Sequence, residues 1–364
     1  MKNFYINNLN TNITDIIWIQ TGFIGDIIIN TAAIELIHQK FKGQIKQHLI
    51  TTPIGYEGLQ FDHRLNSIII FDKKKDNLLK TIYKIRKQLK SIIHSPKTTY
   101  ILQPHRSIKS SLLSKFLGFY TITYYESALS YLSTIRVYRI ALFHEAQRIA
   151  LLTQPLGIDR QNIITAKPKL YIYETPEIRN KFNNIIKLKT NHMLVGIAPG
   201  SVWGTKQWPT EYYTELIQKI LLTNNDVIII LLGSLKEQKE ADYIINGINP
   251  KFYPRLINLI GKTSLLELRW IYPQLNMLVS NDSSPTHYAS AFNIPNIVIF
   301  GSTLPSMGFA PLSDISKVIE IDLSCRPCGN HGYKQCPLKH FKCMRNLSVD
   351  FVFQEVQNML KIIT

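Results

Sequence analysis

The chain has 364 residues, 45% of them hydrophobic and 18% charged, which suits two domains and excludes a wholly disordered, collagen-like or disulfide-dense protein. Its longest uninterrupted apolar run, 227–232, is six residues, where a membrane span needs about 20, and the first eight residues lack the apolar stretch of a signal peptide, so a cytosolic protein is expected. Against 25 Asp and Glu stand 42 Lys and Arg, a net charge of +17, and residues 1–180 hold 24 basic and 12 acidic side chains. That first half is expected to meet an anionic partner (phosphorylated lipid, nucleic acid or an acidic sugar), unless lysine simply fills solvated faces.

In chain order, Asp15–Gln20 reads as a short apolar strand, and the turn Thr21-Gly22-Phe23-Ile24-Gly25-Asp26 opens a helix over 27–40. Strands follow at 45–51, 67–71 and 98–102, with helices at 77–93 and 108–117. The stretch 128–154 reads helical and aromatic-rich, and 167–191, with Pro168 and Pro176, reads as an exposed connection. Then the rhythm restarts. Strands are expected at Met193–Ala198, 226–232, 256–260, 276–280 and 296–300, with helices at 209–222, 236–245 and 285–292. Strands alternating with helices imply an α/β protein with two parallel sheets, joined near residues 180–190. The site is then expected in the cleft between the two halves, where loops leave the C-terminal ends of strands.

Three strand-to-helix loops could carry chemistry. In Gly22-Phe23-Ile24-Gly25-Asp26 the glycines admit a ligand to the backbone, and the helix start favours anions. Asp26 serves there either as a site carboxylate or as a helix N-cap. The spacing is not the GxGxxG of dinucleotide-binding dehydrogenases. In Ala198-Pro199-Gly200-Ser201-Val202-Trp203-Gly204-Thr205-Lys206-Gln207-Trp208-Pro209, Lys206 beside loop amides could hold phosphate oxygens, or be a surface lysine next to a core tryptophan. In Ser280-Asn281-Asp282-Ser283-Ser284-Pro285-Thr286-His287, hydroxyls and amides at a helix start suit an anion or a sugar. His287, about one turn in, either faces that ligand or is structural.

No two aspartates are separated by one residue, and no P-loop, Gly-x-Ser-x-Gly or His-Glu-x-x-His motif occurs. A bound diphosphate would therefore be neutralised by amides, hydroxyls and Lys206, with no metal and no cofactor expected. All four cysteines lie in Cys325–Cys343 with spacing C-x2-C-x7-C-x6-C. A tetrahedral metal site with His331 or His340 as alternative ligands, a disulfide and packed free thiols all remain open on that spacing, and no metal site is assigned.

At these residues the sequence resembles the ADP-heptose:lipopolysaccharide heptosyltransferases, glycosyltransferase family 9. The similarity lies in Gly25-Asp26 followed by Thr31-Ala32-Ala33, in Pro199-Gly200-Ser201 followed by Lys206-Gln207-Trp208-Pro209, and in Asp282-Ser283-Ser284-Pro285-Thr286-His287-Tyr288-Ala289-Ser290-Ala291. It continues through Pro295 and Phe300-Gly301-Ser302-Thr303 into the cysteine segment, which looks like that of the heptosyltransferase II-like branch. Ser284 stands where the family has glycine.

The resemblance implies a GT-B fold of two Rossmann-like domains: 1–180 for the acceptor, 181–347 for the nucleotide-sugar, and a helix in 348–364 crossing back to the first domain. It implies inverting, metal-independent heptosyl transfer from ADP-heptose to the lipid A–inner core acceptor, by a peripheral protein at the anionic inner membrane surface. Asp26 and Lys206 are the implied catalytic residues. Gly25, Ser201, Lys206, Glu237, Asp282, Ser283, Ser284 and His287 are implied on the donor, and His105, Arg106 and Lys109, after the strand at 98–102, on the acceptor. The alternatives are a related transferase with another nucleotide-sugar or glycan and, from a different class, a basic nucleic-acid-binding protein. For the last, no recognised module is present.

Overall fold

A computed structural model describes residues 12–72 and 78–363; the readings made on the first eight residues and on Asn77 fall outside them. The chain divides into two compact units, Met1–Lys169 and Leu170–Thr364. Hydrogen bonds fix the point of division. Lys169 is tied to the first unit, its N–H donating to Thr31 Oγ1 at 3.0 Å and its carbonyl accepting from Arg64 Nη2 at 2.8 Å. Leu170 N donates instead to Ala291 O in the second unit, at 3.3 Å.

The first unit holds six strands, β1 (Asp15–Gln20), β2 (Lys46–Thr51), β3 (Ser67–Ile70), β4 (Thr99–Leu102), β5 (Tyr120–Tyr124) and β6 (Ile135–Val137), in the order β3-β2-β1-β4-β5-β6. Every pairing is parallel. All six residues of β1 are buried, as expected of a parallel strand covered on both faces. On one face Ile17, Ile19, Ile50 and Ile101 pack against Ile82, Ile85 and Leu89 of the helix Leu78–Ile92, and Leu113 and Leu117 of the helix Ile108–Leu117. On the other, Trp18 Nε1 donates to Gln47 Oε1 at 2.9 Å, and Gln47 Nε2 donates to Ile34 O of the helix Ile24–Lys40 at 3.1 Å.

The second unit repeats this plan with β7 (Met193–Ala198), β8 (Val227–Leu231), β9 (Leu256–Asn258), β10 (Met277–Asn281), β11 (Asn296–Ile299) and β12 (Ser316–Ile319), in the order β12-β11-β10-β7-β8-β9. Read from β9, the order is that of the first sheet. In each sheet the chain reverses its direction of winding between the first and fourth strands of the unit, at β1/β4 and at β7/β10. The crevice outside the C-terminal ends of two such strands is where doubly wound sheets bind ligands.

Four expectations are corrected. The stretch 128–154 is not one helical region: it contains the edge strand β6 before the helix Glu145–Leu151. The stretch 167–191 is not an exposed connection. It forms the helices Pro176–Lys181 and Asn183–Lys189, with Ile178, Phe182 and Ile185 buried and Phe182 stacked on Trp270 at 5.8 Å. The division consequently falls before the 180/181 boundary. The last helix, Val349–Ile363, buries Val352, Val356 and Met359 in the core of the second unit beside Leu216 and Ile220, where a crossing back to the first domain was expected.

Candidate active site

In the first unit the loops after β1 and β4 meet at the switch point. His105 Nδ1 lies 3.2 Å from Thr21 Oγ1, 3.1 Å from Ser107 Oγ and 2.9 Å from Ser110 Oγ. Gln103, fully buried, holds the His105 carbonyl with its Nε2 at 3.1 Å. Asp26 is the third residue of the helix Ile24–Lys40, and its Oδ2 accepts from Phe23 N at 3.1 Å. It is thus a carboxylate reaching back over the helix start rather than an N-cap, half-buried beside the macrodipole's positive end. Gly22 makes room for it: a Cβ there would lie 2.6 Å from Asp26 Oδ2. Gly25 is buried in the first turn. Arg106 and Lys109 are exposed. Ser107 caps the helix that follows, its Oγ accepting from Ser110 N at 3.3 Å.

In the second unit the loop after β7 is held from below by Asn281, the last residue of β10. Its Nδ2 donates to Pro199 O at 2.8 Å, and its Oδ1 accepts from Trp208 N and Tyr213 Oη, each at 3.0 Å. The next residue carries the charge. Asp282 Oδ2 accepts from Lys206 Nζ and from Thr303 Oγ1, each at 2.6 Å, with the lysine side chain 13% and the aspartate 5% exposed. Ser201 Oγ accepts from Trp203 N at 3.3 Å, and Ser283 Oγ donates to Asn281 O at 3.4 Å. Ser284 opens the helix Ser284–Ala291, and His287, 6% exposed, packs by Phe309.

Glu237 enters from the loop after β8. Its Oε2 accepts from Ser234 N at 2.5 Å, and burial pushes its carboxyl above the usual carboxylate range. The carboxyl presses on bare backbone, since a Cβ at Gly200 would stand 2.0 Å from Oε1 and one at Gly233 2.6 Å from Oε2. Lys206, Asp282, Ser201 and Glu237 therefore lie on loops at the C-terminal edge of one sheet, and Asp26 and His105 at that of the other.

Sequence reasoning did not single out Asn281, Thr205 or Thr303. Thr205 N donates to Tyr333 O at 3.0 Å and Thr205 Oγ1 accepts from Tyr333 N at 2.7 Å, stitching the cysteine-bearing segment onto the loop that bears Lys206. Their signal was adjacency: each is next to a charged or hydroxyl residue already in a quoted motif. The four cysteines are free thiols, and among the described residues no group of three or more His, Cys, Asp or Glu side chains is arranged to hold a metal.

Two doubly wound units of one strand order, each with polar loops at its switch point, define the GT-B class. The model of glycosyltransferase family 9 (heptosyltransferase) matches residues 83–341, and the chain belongs to that family. It is similar to lipooligosaccharide heptosyltransferase 2 of Campylobacter jejuni, 28% identical over 182 residues, 50% of this chain and 55% of that one. The matched stretch thus spans about half the length of that curated relative. Among solved structures, E. coli ADP-heptose lps heptosyltransferase II superposes with a TM-score of 0.73 at 21% identity, covering 95% of this chain and 98% of that one. A family 9 glycosyl transferase from Veillonella parvula superposes with 0.81 at 16% identity, covering 98% and 99%. At those identities the likeness is one of fold.

Proposed function

We propose that this chain transfers a heptose from ADP-heptose to the inner core of lipopolysaccharide, with inversion and without a metal, on the cytoplasmic face of the inner membrane. The observation that carries the reading is the Lys206–Asp282–Thr303 arrangement at the β7/β10 switch point: an ammonium oriented by Asp282, in the position where a doubly wound sheet receives a phosphate. The family membership and the name of the E. coli relative, which carries ADP-heptose, support the choice of donor.

In the reaction, Asp26 takes the proton of the acceptor hydroxyl while its oxygen bonds to the anomeric carbon. The bond from that carbon to the β-phosphate oxygen breaks on the opposite face, and ADP leaves with the electron pair. Lys206, Ser201 and the Ser283–Ser284 amides hold the charge that develops on the diphosphate. Glu237, Asp282 and His287 complete the donor side, and His105, Arg106 and Lys109 serve the acceptor, whose Kdo carboxylate or phosphate suits exposed cations. The net charge of +12 on residues 1–180 is an attraction toward lipid A phosphates and the anionic leaflet.

The test is mass spectrometry of truncated lipopolysaccharide acceptors incubated with ADP-heptose, with and without EDTA. A gain of one heptose that survives EDTA is expected. A gain only with another nucleotide-sugar moves the donor assignment, and full inhibition by EDTA reversed by Mg²⁺ rejects the metal-free scheme.

A further inference from the structure

The helix Leu78–Ile92, with the sequence LLKTIYKIRKQLKSI, contains five basic residues and no acidic one. Its inward face is spent on Thr81, Ile82, Ile85 and Leu89. Its outward face carries Lys80, Lys84, Arg86, Lys87 and Lys90, all exposed, together with Leu79 at 67% and Tyr83 at 73% exposure. At helical spacing Leu79, Tyr83 and Lys87 form one row, and Lys80 and Lys84 the next. Among the described residues no carboxylate pairs with any of these five cations.

An outer face that is rich in cations, without a single acidic residue, and that holds a leucine and a tyrosine one turn apart among its lysines, matches what lies in the headgroup layer of an anionic bilayer. The lysine stems cover apolar surface while their ammonium groups reach the phosphates, and the tyrosine ring sits at the boundary. A single-stranded nucleic acid would meet the charge, but Leu79 gives it no stacking surface. The helix is the crossover between parallel strands β3 and β4, so it starts at the edge where those strands end. The Thr21 and His105 loops occupy that same edge. Leu79 and Lys80 are therefore at the acceptor end of the unit.

We propose that the outward face of Leu78–Ile92 is the membrane-docking surface of this chain, lying on anionic lipid so that the β1 and β4 loops meet a lipid-anchored acceptor. This deepens the membrane reading under the proposed function and rests on it for the identity of the acceptor only.

The experiment is co-sedimentation of the full chain with phosphatidylcholine vesicles, alone or with phosphatidylglycerol. Binding should require phosphatidylglycerol and fall with salt. K80E/K84E/K87E should weaken it on the order of 100-fold, at about five-fold per lysine near the surface. The variant L79S/Y83S, unchanged in charge, should weaken it several-fold. K187E/K251E/K361E, the same reversal in the second unit, should leave most of the binding. Equal losses from the two reversals would reduce the effect to net charge and overturn the proposal. So would L79S/Y83S binding like the parent, or a K80E/K84E/K87E variant that loses single-stranded RNA binding and keeps the vesicles. Heptosyl transfer to a water-soluble truncated acceptor, measured on the same variants, should be unchanged. Its absence in the parent chain rejects the transferase reading and leaves the vesicle result standing.

Discussion

At the residue scale, the two candidate catalytic groups are held in different ways, and the difference sets what their replacement does. Asp26 is drawn back over the helix start by the Phe23 N–H, into room left by the absence of a side chain at Gly22. Asp26→Asn keeps the shape and loses the base, so kcat should fall about 10²–10⁴-fold with donor affinity little changed. Near-normal turnover in that variant removes Asp26 from the mechanism. Lys206 is half of a nearly buried ion pair. Lys206→Ala should cost about 2–4 kcal/mol in kcat/KM, the size of one lost preorganised donor. It should also lower stability, because Asp282 is left without its cation. Adding Asp282→Asn should recover part of the stability and none of the activity, which separates the two effects by calorimetry and kinetics on the same proteins. Arg106 has neither kind of support: it is exposed, and Ser107 does the capping. Arg106→Gln should raise the acceptor KM and leave ADP-heptose binding intact, by less for a dephosphorylated acceptor if phosphate is the partner. An unchanged acceptor KM on both substrates assigns Arg106 to solvation.

At the element scale, the donor loops work as a set because glycines let them touch. Gly200 has no room for a methyl group: Glu237 fills the space where one would go. Gly200→Ala should therefore push the Glu237 carboxyl off the loop, raising the donor KM at least several-fold while the fold survives. A Gly200→Ala/Glu237→Ala double variant with no higher thermal midpoint than Gly200→Ala would argue that the clash lies elsewhere. The same scale shows what a sequence can and cannot say. Central strands such as β1 and β7 were legible to the residue, since burial on both faces makes them mostly apolar, Ile16–Ile19 in β1 and all but Gly196 in β7. Strands β5, β6 and β12 were not. Tyr120–Tyr124 does alternate, with threonines between Tyr120, Ile122 and Tyr124, but over five residues only, and Ile135–Val137 and Ser316–Ile319 are edges with Arg136 and Lys317 inside them, too short and too mixed to carry a period. The helix Pro53–Leu59 was hidden by its two glycines, and its start rests on the Thr52 hydroxyl. The motif loops were legible as positions, but the side-chain hydrogen bonds of Asn281 and Thr205 link residues 68 or more apart in number, and only folding shows such pairs.

At the scale of the whole molecule, each unit carries a buried titrating group of its own, and the two fail at opposite ends of the pH range. In the first unit His48 lies between Asp15 Oδ1 at 3.0 Å and Ser67 Oγ at 2.8 Å, and burial holds its pKa below 6.5. The unfolded chain takes up a proton near pH 6.5 that the folded one refuses until lower pH. Stability is thus fully present above 6.5 and is lost as pH falls through that window. In the second unit burial pushes the Cys343 thiol up from 9.0 to about 11. Here the unfolded chain gives up its proton first, so stability is present below pH 9 and is lost as pH rises from 9 toward 11. Thermal unfolding followed from pH 5 to 11 should therefore lose midpoint on both sides. His48→Gln should flatten the acid limb alone, and Cys343→Ala should flatten the alkaline limb alone while lowering the plateau through the cavity it opens. If either variant flattens both limbs, the two units do not titrate independently and the assignment of one limb to each is wrong.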